Sequence, residues 1–151
     1  MPAYLNTLLD ATRTLLVATW TDVPVNGVYR ASELAAISWD TRSLPLAVLD
    51  HKEIRGEWGM TNRTSEHIIW CYYVHGDVTT PDGRNTKLEA LRSAFMPDAQ
   101  TNPLGSNGQV LEWPLVDDSA ELPVNQYFLT TGKPVWAGAV ILHCLAGVTT
   151  P

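Results

Sequence analysis

An α+β fold is what this sequence predicts: one domain over residues 1–151, with a mainly antiparallel sheet packed by two helices. Three observations lead there. Leu5, Leu8, Leu9, Thr12, Leu15 and Leu16 recur at helical spacing and make one apolar stripe. Residues 66–75, E-H-I-I-W-C-Y-Y-V-H, carry the aromatic and β-branched side chains that a pleated surface favours. Residues 135–148, V-W-A-G-A-V-I-L-H-C-L-A-G-V, are uncharged and lie between Gly132 and Pro134 on one side and Thr-Thr-Pro on the other. A continuous apolar run so bounded reads as a strand buried on both faces, hence a central one.

Each element follows in order. The first helix spans residues 4–18, with Asn6, Asp10 and Arg13 mostly off its stripe. Asp22, Pro24 and the pair Asn26-Gly27 break the chain, and Ser32 is placed to cap a short helical turn through Ile37. Residues 44–54 read as a strand, and the polar stretch 52–66 as the exposed end of a long hairpin returning into the aromatic strand. Asp82-Gly83 marks a loop, after which Asn85 caps a second helix over 86–96, with Leu88, Leu91 and Phe95 inward and Pro97 as its stop. Residues 110–116 form a short strand that Pro114 confines to an edge. Residues 125–130 form another, and the final run closes the sheet. There is no internal repeat.

Composition narrows the function classes. A 45% hydrophobic, 17% charged chain of 151 residues buries a core of its own. The net charge of −6 and the scattering of ten Lys and Arg argue against a dedicated nucleic-acid binder. Acid is concentrated late: Glu112, Asp117, Asp118 and Glu121 fall within ten residues, with Lys133 the sole base after residue 98. Cys71 and Cys144 each lie in an apolar run and read as buried, reduced thiols of an intracellular protein, unless their strands are neighbours and allow a disulfide. The N-terminal stretch carries Asp10 and Arg13 and lacks a basic start, so it is not a signal peptide. The last run is too interrupted to span a membrane as a helix.

No constellation points to catalysis, a metal or a cofactor. Of His51, His67, His75 and His143, only His75 has a partner at a tempting spacing, Cys71, and no second pair completes a zinc set. His75-Gly76-Asp77 reads as a turn leaving a strand. No nucleophile elbow, dinucleotide fingerprint or phosphate loop occurs. The acidic run lacks the alternating pattern of a calcium loop. Six tryptophans are many for this length, and Trp39 and Trp58, in loop-like stretches, are candidates either for an interface or for packing on their own subunit.

The whole-chain order resembles the tail terminator, or tail completion, proteins of long-tailed bacteriophages. The features that carry the likeness are the leucine-striped helix with T-W-T-D-V-P-V-N-G at its exit, the strand opening at S-L-P-L-A-V-L, and the aromatic strand H-I-I-W-C-Y-Y-V. The short helix N-T-K-L-E-A-L-R-S-A-F and the closing W-A-G-A-V-I-L-H-C complete it. The resemblance implies a structural virion protein of the tail and neck, assembled in the host cytoplasm and without enzymatic activity. Such a protein forms a hexameric ring that caps the tail tube, ends its polymerisation and offers the surface for head–tail joining. Its partners are then itself, the tail tube protein and neck or connector proteins, with DNA passing through the lumen and no cofactor. Trp39, Trp58, Glu112, Asp117, Asp118 and Glu121 are the interface candidates, and an acidic lumen would let DNA slide. Two rival readings are a head-side connector and a small enzyme or ligand-binding domain with a pocket near His75, Asp77 and His143.

Overall fold

The computed structural model describes residues 3–36, 45–58, 62–76, 81–96, 102–105, 108–118 and 136–149. Helix α1 (Ala3–Thr19) turns its stripe inward, with Leu8, Leu9, Thr12 and Leu16 buried and Asp10 and Thr14 exposed. The buried Thr12 hydroxyl donates to the Leu8 carbonyl at 2.8 Å, so it enters the core satisfied. Beyond the helix, Trp20 and Val23 continue the buried face, and a 3-10 turn (Val25–Gly27) leads into strand β1 (Val28–Arg30).

Strand β1 pairs in parallel with β2 (Leu46–Trp58), Val28 opposite Ala47. A 3-10 helix (Ala31–Ala36) begins the crossover, where the sequence reading placed its helical turn. Strand β3 (Asn62–His75) returns antiparallel to β2 and pairs on its other side with β6 (Trp136–Thr149), in register from Asn62 opposite Thr149 to His75 opposite Trp136. The outer side of β6 carries β4 (Gln109–Val110) and β5 (Leu115–Asp117), parted by Pro114. Among the described residues the sheet runs β1-β2-β3-β6, then β4 and β5. The α+β class and the central place of the last strand agree with the sequence reading.

Five expectations need correction. The strand expected over 110–116 is broken in two, Gln109–Val110 and Leu115–Asp117, because Pro114 has no N–H to continue the ladder. The polar stretch 52–66 is mostly paired strand: the ladder reaches Trp58 opposite Arg63. Backbone groups pair whatever the side chains, so polarity alone does not end a strand. Between Glu53 and Arg55 the register shifts by one extra residue, a bulge at Ile54. Strand β1 was not expected; three residues are too short to show a period. Helix α2 (Pro81–Ala94) begins at Pro81, which lacks the N–H that a first turn would leave unsatisfied, so Asn85 lies inside the helix and does not cap it. The run 135–148 is buried on both faces only in its first half. Ala137 to Val140 are all buried, whereas Ile141, His143 and Leu145 alternate, half-exposed, with buried Leu142, Cys144 and Ala146. The strand expected at 125–130 lies outside the described residues.

Two cores flank the sheet. On the helix side Leu8, Leu16 and Trp20 meet Leu88, Leu91 and Phe95 over Ile69, Tyr73, Val140 and Leu142. On the other side Leu46, Val48, Tyr72, Val74, Ala137 and Ala139 form a smaller cluster with Tyr29, Ala31 and Trp70 partly buried beside it. Helix α2 lies close on β6 at Gly138, where an added Cβ would stand 2.5 Å from Leu88 Cδ1 and 3.2 Å from Arg84 Cδ. No described helix is long and apolar enough to cross a membrane.

Candidate functional site

Strand alternation decides which side chains meet. Along the segment from β4 to β5, Leu111, Trp113 and Leu115 are 39%, 62% and 66% exposed, and Trp136 at the start of β6 is 44% exposed. These are four of the five exposed large hydrophobic residues of the described chain; Leu111, Trp113 and Leu115 follow one another along the edge outside β6, and Trp136 lies apart from them, against His75. The edge is held in place from α2: Arg92 Nε donates to the Pro114 carbonyl at 3.0 Å, and the guanidinium lies 5.9 Å from the Trp113 ring centre.

The acidic run joins this edge. Glu112 precedes Trp113, Asp117 ends β5 opposite Ala139, and Asp118 is exposed beside it. Trp39 and Glu121 lie outside the described residues. Trp58 closes β2 opposite Arg63, and its side chain lies outside the described part. Among the described residues the exposed tryptophans are Trp113 and Trp136, which the sequence reading did not select. The sequence does group Trp113 with its neighbours, since L-E-W-P-L sets Leu111, Trp113 and Leu115 at every second residue, but that spacing alone does not say whether the row is covered.

His143 stands on the open side of β6 between two carboxylates. Nδ1 is 2.8 Å from Glu112 Oε1 and Nε2 is 3.2 Å from Glu66 Oε2. The bond to Glu112 raises its pKa above the ordinary value; partial burial opposes this, and Glu66 adds to it. The contact ties the exposed segment to β6 and β3.

His75 belongs to a separate, buried arrangement. Arg84 Nη1 donates to His75 Nε2 at 3.1 Å, which makes Nε2 the acceptor and leaves Nδ1–H to donate to the Gly76 carbonyl at 2.8 Å. Trp136 stacks on the same imidazole at 6.2 Å. His75 faces the helices and His143 the opposite side of the sheet; His143 is seven residues beyond Trp136, the partner of His75 on β6, about 23 Å along the strand. The two histidines therefore share no pocket, which corrects the expectation of a site uniting His75, Asp77 and His143; Asp77 itself lies outside the described residues. Cys71 and His75 do share a face, but four strand residues separate them by about 13 Å, too far to ligate one ion. No group of metal-ligating side chains gathers among the described residues.

The remaining polar clusters fasten elements together. Trp20 Nε1 donates to the Lys87 carbonyl at 2.7 Å, and its ring meets Tyr73 edge-on at 5.1 Å. Tyr73 donates to Asp22 Oδ2 at 2.6 Å, and Lys87 Nζ lies 3.2 Å from the other oxygen. Burial raises the Asp22 pKa, but the bonds from Tyr73 and Lys87 outweigh it and hold the carboxyl below its ordinary value. Cys71 and Cys144 are free and buried. Their strands are neighbours, yet Cys71 stands opposite Val140 and Cys144 opposite His67, so the register keeps them apart. Burial pushes the Cys144 thiol up to about 12 and Cys71 higher still, so neither is an activated nucleophile.

At the other edge of the sheet, α1, β1 and the 3-10 helix enclose an open cavity of about 240 Å³. Leu9, Val28 and Leu49 form its apolar lining, and Asp10, Arg13, Tyr29, Arg30 and Glu33 its polar part. Compared with protein-family models, curated proteins and solved structures, the chain matches none of them.

Proposed function

We propose that the protein is a tail terminator of a long-tailed bacteriophage, a structural virion protein that forms a hexameric ring on the end of the tail tube, stops its growth and offers the surface to which the head joins. The observation that carries the reading is the row Leu111, Trp113 and Leu115, all exposed, along one edge of the sheet. Exposed apolar patches of this kind mark association surfaces on soluble domains. The element order of striped helix, long aromatic hairpin, short helix and long closing strand supports it further. The histidines and cysteines have other work: each described histidine bond and each thiol serves packing or fastening. Its mechanism is steric, a ring seated on the last tube ring that blocks addition of the next. With −6 per chain, a ring of six repels phosphate, which suits a passage for DNA.

The test is tube growth in vitro. Tail tube protein polymerised with the purified chain is expected to give tubes that stop lengthening and carry an added ring at one end by electron microscopy. Tubes that elongate as they do alone, with no added density, would overturn the proposal.

A further inference from the structure

We propose that copies of this chain join head to tail, the Trp113 indole of one copy entering the cavity beside β1 of the next. The proposal rests on the ring reading above and names the contact that builds the ring. The two halves of the contact sit at opposite edges of one sheet: Trp113 outside β6, the cavity beside β1. Knob and socket on opposite edges make a heterologous contact, which each copy can make twice and which propagates until a ring closes.

Size and chemistry agree, and one guanidinium of the lining is available to an acidic neighbour. A cavity of roughly 150 Å³ admits a benzene, so about 240 Å³ has room for one indole. Ligand pockets for larger molecules begin near 300 Å³. Leu9, Val28 and Leu49 offer an apolar wall for the ring, and Arg13 and Arg30 offer guanidinium groups for its face. Trp113 is 62% exposed and is preceded by Glu112, with Asp117 and Asp118 further along the same edge. On the receiving side Arg30 already meets Asp10 at 3.3 Å, whereas the described bond of Arg13 is to the neutral Val25 carbonyl. Arg13 is therefore the guanidinium of the lining left for the incoming acidic segment, with Glu33 beside it on the same lining. A buried indole flanked by an ion pair at its rim is the usual anatomy of an interface hot spot.

The experiment keeps Trp113 in place and reports the contact directly. Glu112→Cys and Glu33→Cys are made in separate chains, mixed, and treated with a short thiol-specific crosslinker; the buried native cysteines do not compete. The mixed sample is expected to give crosslinked dimers, each variant alone to give at least tenfold fewer, and Trp113→Ala in the Glu112→Cys chain to abolish the product. Native mass spectrometry of Trp113→Ala and Arg13→Glu is expected to show at least tenfold weaker association with unchanged circular dichroism. Equal crosslinking of either variant with itself, no product in the mixture at the highest attainable concentration, or parent-like association of Trp113→Ala would each overturn the proposal. Rings that form through this contact but leave tubes growing would overturn the terminator reading alone. Tubes capped normally by Trp113→Ala would overturn the contact alone.

Discussion

Protonation of His143 lets one imidazole donate to Glu112 and Glu66 together, so the residue links β6, β3 and the exposed segment before β5. Its folded pKa is raised, so the stabilisation is fully present below the unfolded value of about 6.5 and is lost as pH rises through the folded value. His143→Gln should therefore lower stability at pH 5 to 6 and leave it nearly unchanged at pH 9. Because Glu112 is two-thirds exposed, the loss should stay below about 1 kcal/mol. Urea denaturation of parent and variant at the two pH values measures it, and an equal loss at both would refute the linkage. Other residues carry a different lesson. The burial of Cys71 and the inward stripe of α1 were legible in sequence, because an apolar run and a helical period mark residues that leave water. Exposure of Trp113 was not, since a tryptophan at strand spacing looks alike whether a neighbour covers it or not.

Helix α2 and strand β6 show how closely two elements can approach when one position has no side chain. Gly138 leaves room for Leu88, and the Asp117 carbonyl stands 3.3 Å from where its Cβ would be. Gly138→Ala is expected to cost about 1–3 kcal/mol through overpacking. Much of that penalty should vanish in a Leu88→Ala background, because the clash is with that side chain; thermal unfolding of the double-mutant cycle checks it. Additive losses would place the strain elsewhere. At this scale the long elements were readable and the short ones were not. Leu88, Leu91 and Phe95 announced α2 through their spacing, but its start moved to Pro81 because the first turn is polar and carries no stripe. Val28–Arg30 is a strand only because Ala47, Val48 and Leu49 lie beside it, a long-range fact that no local pattern carries. The candidate edge was half legible: the acids of residues 112–118 were singled out, their apolar companions were not.

As a whole the molecule hides both of its thiols under the helices, Cys71 and Cys144 alike fully buried. A thiol reagent should therefore react with the native protein only through opening of the helix-side core, and the labelling rate should fall with global stability. Parent and Gly138→Ala should then differ in labelling rate by the factor that their unfolding free energies give, and reaction with both cysteines at the speed of a free thiol would contradict the burial described. The three long strands bear on mechanics. β3 and β6 stay in register over fourteen residues, and β2 accompanies them to Trp58. Fourteen residues at about 3.3 Å each make a beam roughly 46 Å long. A pull on its two opposite ends loads every rung of the ladder in shear at once, so the beam resists as a unit where a hairpin opened from its tip would unzip rung by rung.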